Sequence, residues 1–150
     1  MIRMTRISFY HVEIVKEESH NYNISRDMSS PQNVAIFLAN VIRINKSPVE
    51  NFGVLILDVH NNLIASHVLT KGTLNATMAK AREVFQVALL HNGCSVILFH
   101  NHPSGDATPS KNDIEVTNGI VKAGEILEIP VLDHVVIGDT YYSFANNGLI

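Results

Sequence analysis

Cys94-Ser95-Val96-Ile97-Leu98-Phe99-His100-Asn101-His102-Pro103-Ser104-Gly105-Asp106 is the stretch on which the reading of this chain turns. Its first half, Cys94 to Phe99, is a short apolar run read as a buried strand, with Cys94 packed inside it. Its second half is a turn-rich loop. Ser110 then opens a helix that runs to about Leu127. On the upstream side, Ala81, Val84, Phe85 and Ala88 recur at helical spacing between Thr77 and His91, and Asn92-Gly93 supplies a stop. A buried strand with a helix on each side of it in sequence points to a layered α/β arrangement.

The outer elements agree with that reading. Residues 7–17 are rich in β-branched and aromatic types and are expected to form a strand, followed by a polar loop from His20 to Met28. Ser30-Pro31 opens a helix to about Ile44, with Val34, Phe37, Leu38 and Val41 on its buried face. Asn51 to Val59 is apolar on both faces, as a strand inside a sheet is. His60-Asn61-Asn62 is a turn, and Leu63 to Leu69 returns antiparallel. Strands over Val131–Ile137 and Tyr141–Phe144, joined at Gly138-Asp139, close the chain. The sum is a single mixed central β-sheet flanked by helices, with residues 1–29 as an N-terminal strand and loop extension and residues 30–150 as the domain proper.

Composition narrows the class. The chain has 150 residues, 46% apolar and 17% charged, enough for one domain with its own core. Eleven basic against 14 acidic residues leave a net charge of −3, which weighs against direct nucleic-acid binding. A single cysteine excludes an internal disulfide and fits a reducing, cytoplasmic setting. No apolar run has the length of a membrane span, and Met1 to Arg6 lacks the apolar core of a secretion signal. On that reading the glycosylation-like triplets at Asn23, Asn45 and Asn75 are chance.

His100 and His102 sit at i and i+2, so a strand directs both imidazoles to one side. Asp113, on the first turn of the next helix, can fold back as a third ligand. Two nitrogens and an oxygen, with the fourth position left to water, is the pattern of a catalytic zinc centre, which lowers the pKa of water to ~7. Ser110 and Asp113 read equally as a capping box, and Pro103, Ser104 and Gly105 as turn residues. The run His-Asn-His has no bearing on HNH nucleases, whose named residues are spread over a ββα unit.

His100-x-His102, seven residues, Ser110, two residues and Asp113 together resemble the metal signature of the JAMM (JAB/MPN) metalloproteases. Ile97 to Asp106 with Pro109-Ser110 is similar to the RadC-like branch. Matches extend to Lys71-Gly72-Thr73, Ala81 to Phe85, Leu132 to Gly138 and Tyr142-Ser143-Phe144. The resemblance covers residues 30–150; Ala81 departs from the usual proline, and the helix–hairpin–helix region of longer members is not matched.

The resemblance implies a JAB/MPN sandwich of cytidine-deaminase-like type, with zinc held by His100, His102 and Asp113 and Ser110 bonded to the oxyanion of the tetrahedral intermediate. It also implies an upstream glutamate that accepts the water proton and passes it to the leaving amine. Glu50, at the entrance of the Asn51 strand, is the choice and Glu83 the rival; a solvated loop acid remains the plain alternative for Glu50. Ser104 and Glu83 are placed at the pocket, and His134 behind the metal or else as a bonded core histidine. His11, His20, His60, His67 and His91 read as surface or turn residues.

The activity implied is a zinc-dependent metallopeptidase-type hydrolase of a peptide or isopeptide bond in an unidentified peptide or protein substrate. The alternatives are a metal-dependent nuclease or DNA-repair accessory, and an inactive JAB/MPN scaffold. A homodimer is left open.

Overall fold

The computed structural model describes residues 6–16, 19–72 and 80–150. One mixed five-stranded sheet forms the middle layer. Its strands are β1 (Asn51–Leu57), β2 (Leu63–Lys71), β3 (Ser95–Asn101), β4 (Val131–Ile137) and β5 (Tyr141–Ser143). They lie in the order β2-β1-β3-β4-β5. Only the β3–β4 pair is parallel; β1 runs antiparallel to both β2 and β3, and β5 to β4. All seven residues of β1 and of β3 are buried, which explains the apolar runs Phe52 to Leu57 and Val96 to Phe99 within them.

Strand alternation divides the core in two. Leu55, Leu57, Ile97, Phe99, Val135 and Ile137 point to the face covered by helix α1 (Pro31–Phe37), packing with Val34, Phe37 and Leu38. Phe52, Val54, Val96, Leu98 and Val131 point to the other face, against Val84, Phe85 and Ala88 of α2 (Ala81–Leu90) and Ile120 of α3 (Lys111–Leu127). Each such fully buried side chain contributes about 1.5–3 kcal/mol relative to leaving it exposed.

Ser30 caps α1 by accepting from the Asn33 amide at 3.2 Å. The helix expected to continue to Ile44 changes pitch instead: a π-helical turn spans Leu38–Ile42, ends at Arg43 in the left-handed region (φ 58°), and a 3₁₀ turn follows at Ile44–Lys46. Asp58 receives the His60 and Asn62 amides in the β1–β2 turn, so β1 stops at Leu57 rather than Val59.

Three expectations need correction. No strand forms over the described part of residues 7–17; Ile7, Phe9, Tyr10 and Val12 are exposed and make no ladder. β propensity expresses packing on a pleated surface, and residues 6–16 pair with no strand of the sheet. Cys94 is exposed, just ahead of β3, with its amide bonded to Leu57 O at 2.9 Å. His67 and His91 are half-buried rather than superficial, their Nε2 atoms 2.8 Å apart, tying β2 to the end of α2. The expected start of α2 at Thr77, the Thr73 match and the Asn75 triplet lie outside the described residues, as do Met1 to Thr5 and Glu17.

Candidate metal centre

The site grows from the alternation of β3. His100 points to the same face as Val96 and Leu98, the face on which α3 lies. His102, two residues on, lies in the loop just past the strand, where its amide bonds Ile137 O at 2.8 Å. The loop is strapped to the β4–β5 turn by Asp139 N–H to Gly105 O at 2.7 Å. Gly138 allows that approach, since a Cβ there would stand 2.2 Å from Gly105 O. Asp113 comes from the first turn of α3, held by a capping box in which Ser110 N–H and Oγ–H each donate to Asp113 Oδ2 at 2.7 Å.

These elements bring three ligand atoms together. His100 Nε2 lies 2.9 Å from His102 Nε2 and 3.6 Å from Asp113 Oδ1, and His102 Nε2 lies 3.5 Å from Asp113 Oδ2. Ligands at about 2.0–2.1 Å on a tetrahedral zinc stand about 3.3 Å apart, so the spacing fits a small divalent cation. Among the described residues, His100, His102 and Asp113 form the one cluster able to hold a metal ion.

The hydrogen bonds around the cluster determine which ring nitrogens carry protons. His102 Nδ1 faces Asp106 O at 2.7 Å; a carbonyl only accepts, so Nδ1 is protonated and Nε2 offers its lone pair. Behind His100 runs a longer chain. Thr117 Oγ1 donates to Asp113 O at 2.6 Å, which leaves it to accept from His134 Nδ1 at 2.6 Å. His134 Nε2 therefore accepts from His100 Nδ1 at 2.8 Å, and His100 Nε2 is left bare toward the cluster. Both candidate ligand histidines thus turn Nε2 toward the cluster, as a metal requires.

Electrostatics point the same way. Burial of Asp113 disfavours its charge, but the adjoining His100 imidazole and the bonds from Ser110 outweigh it and hold the carboxyl well below its ordinary range. Burial, and then the neighbouring His100, push the His134 pKa well below the usual histidine value, in keeping with its neutral place in the chain. Its ring also stacks on Phe144, with centroids 4.7 Å apart. Asp133 is a separate anchor: it accepts from the amides of His134 and Ala145 and from Ser143 Oγ, while burial raises its pKa.

Glu50 is half-buried just ahead of β1. The β1–β3 register ends with Phe52 opposite His100, and Glu50 lies two residues ahead of Phe52, its carbonyl bonded by Gly72 N–H at 2.8 Å. Glu83, half-buried in the first turn of α2, has its Oε2 enclosed without a hydrogen-bond partner. Ser104 is exposed in the loop. Thr117 is the residue that sequence reasoning missed. Its only signal was its position four residues after Asp113, one helical turn on, and a threonine there is ordinary.

The model of the RadC-like JAB domain family matches residues 28–149. The chain is similar to a UPF0758 protein of Caldanaerobacter subterraneus, 42% identical over 126 residues that cover 84% of this chain and 52% of the relative. A UPF0758 protein of Methanococcoides burtonii is 51% identical over 102 residues, 67% of this chain and 44% of that one. The chain thus spans about half the length of the curated relatives it matches.

Proposed function

Because the chain belongs to the RadC-like JAB domain family, and its His100, His102 and Asp113 converge with bare ligand atoms, we propose that it is a zinc-dependent hydrolase of peptide or isopeptide bonds. The convergence of those three side chains, with both histidine tautomers preset, is the observation that carries the reading. A zinc ion held there supplies Lewis acidity and brings the pKa of a coordinated water to about 7.

The chain's own groups supply the rest. Glu50, two residues ahead of the Phe52 that pairs with His100, takes the proton of the attacking water and delivers it to the leaving amine. Ser110 is placed to bond the oxygen on which negative charge develops. Its hydroxyl can turn from Asp113 without releasing the carboxylate, because the Ser110 amide still holds Oδ2 at 2.7 Å. Thr117 and His134 keep His100 in the ligating tautomer throughout.

The test is cleavage of a peptide library by the zinc-loaded chain, wild type against Glu50→Gln and Asp113→Asn. We expect turnover in the wild type, zinc retention without turnover in Glu50→Gln, and loss of zinc in Asp113→Asn. Full turnover by Glu50→Gln removes Glu50 from the mechanism. Salt-sensitive DNA cleavage that is lost in His102→Ala would replace the peptidase reading with a nuclease.

A further inference from the structure

Asn101 stands between the two histidines in sequence, so strand alternation turns its side chain to the opposite face, the one covered by α1. Same-face neighbours Ile97 and Phe99 are apolar, and an aliphatic side chain would fill that position equally well. A carboxamide buried to 2% exposure is instead found there, and burying one is costly unless its groups are bonded.

Its bonds all go to one place. Asn101 Oδ1 accepts the Asn51 amide at 2.8 Å and Asn51 Nδ2 at 3.2 Å, and Asn101 Nδ2 donates to Val49 O at 3.1 Å. The orientation is unambiguous, because the Asn51 N–H needs an acceptor and the Val49 carbonyl needs a donor. Asn51 Nδ2, with two hydrogens to share among its neighbours, also lies 3.0 Å from Val49 O and 2.7 Å from Ser47 Oγ.

Val49 O belongs to the peptide group before Glu50, and Asn51 N to the peptide group after it. Holding both peptide planes fixes the two backbone dihedrals of Glu50 and hence the direction of its Cα–Cβ bond. Ser47 Oγ–H also bonds Val49 O at 2.9 Å and Gly72 N–H bonds Glu50 O at 2.8 Å, but of these holds it is Asn101 that refers the segment to β3, as a residue flanked by the two candidate metal ligands. We infer that Asn101 is a positioning residue that sets Glu50 relative to His100 and His102, one strand end thereby aligning base and ligands from its two faces. The inference rests on the reading of Glu50 as the base.

The experiment compares the full chain as wild type, Asn101→Ala and Asn101→Asp. Asn101→Asp keeps the acceptor for Asn51 N–H and loses the donor to Val49 O. Zinc stoichiometry is measured first, and NMR then follows the zinc-induced shifts of the Glu50 carboxyl carbon and of the His100 and His102 ring nitrogens. We expect stoichiometric zinc and unchanged histidine shifts in the variants, with the Glu50 response at least halved. Where cleavage is measurable, kcat falls up to ~100-fold with KM unchanged, as for a reacting group displaced by about 1 Å. In a Glu50→Gln background Asn101→Ala costs nothing more.

A Glu50 response to zinc as large in Asn101→Ala as in wild type overturns the inference. So does the absence of any Glu50 response in wild type, or failure of both variants to fold, which would make Asn101 a stability residue. A wild type that cleaves no peptide yet shows the expected shifts refutes the peptidase reading and leaves the placement of Glu50 standing.

Discussion

Thr117→Val isolates the proton chain behind His100. Thr117 is fully buried, and valine reproduces its shape without the hydroxyl that joins Asp113 O to His134 Nδ1. The substitution strands the His134 N–H, at a cost of about 1–3 kcal/mol for an unsatisfied buried donor. At roughly 2–4 °C per kcal/mol for a domain of this size, the metal-free protein should melt about 2–12 °C lower.

The larger consequence concerns the cation. With nothing to hold its proton on Nδ1, His134 no longer presents a bare Nε2 to His100, and the ligating tautomer of His100 loses its support. Comparable partners of metal ligands are worth about 10–100-fold in affinity. That is roughly 1.4–2.7 kcal/mol. A zinc titration in competition with a chromophoric chelator reads the affinity, and thermal unfolding of the apo form reads the stability. Thr117→Ser, which restores the hydroxyl, should recover most of the affinity. Zinc binding by Thr117→Val within about twofold of wild type would refute the chain as an organiser of the site.

Other outcomes follow from the same geometry. Gly138→Ala places a Cβ 2.2 Å from Gly105 O, so the loop bearing His102 must shift; zinc stoichiometry should fall, as metal analysis of the purified variant will read. Chelation should lower Tm without unfolding the chain, because the two apolar cores do not depend on the site; zinc at ~100 times its Kd adds ~2.7 kcal/mol. Unfolding by chelator alone, followed by circular dichroism, would contradict this. Burial, and then the neighbouring His91, depress the His67 pKa. The unfolded chain therefore takes up that proton first, so this stability is complete above the unfolded value of about 6.5 and is lost as pH falls through the folded value. Urea titrations should show a smaller acid-side loss for His67→Gln than for wild type.

Much of the fold was readable because it depends on local patterns. The apolar runs of β1 and β3, the Ser30-Pro31 start and the Asn61-Asn62 turn each carry their own short-range cause, and each forms where expected. The segment at residues 7–17 failed because a strand exists only with a partner, and its composition names none. His67 and His91 failed for a related reason: they are 24 residues apart, and only the packing of α2 on β2 makes them neighbours.

The chain order by itself pointed to the three candidate ligands. Period-two alternation puts His100 and His102 on one side, and the Ser110–Asp113 spacing is that of a helix cap, which the structure forms as a capping box. Sequence could not determine what stands behind those ligands. Thr117, His134 and Asn101 act through hydrogen bonds across α3, β4 and the start of β1, between residues 17 to 52 positions apart. Such bonds are directional and short, so they exist only once three layers have packed to within tenths of an ångström, and no local pattern encodes that distance.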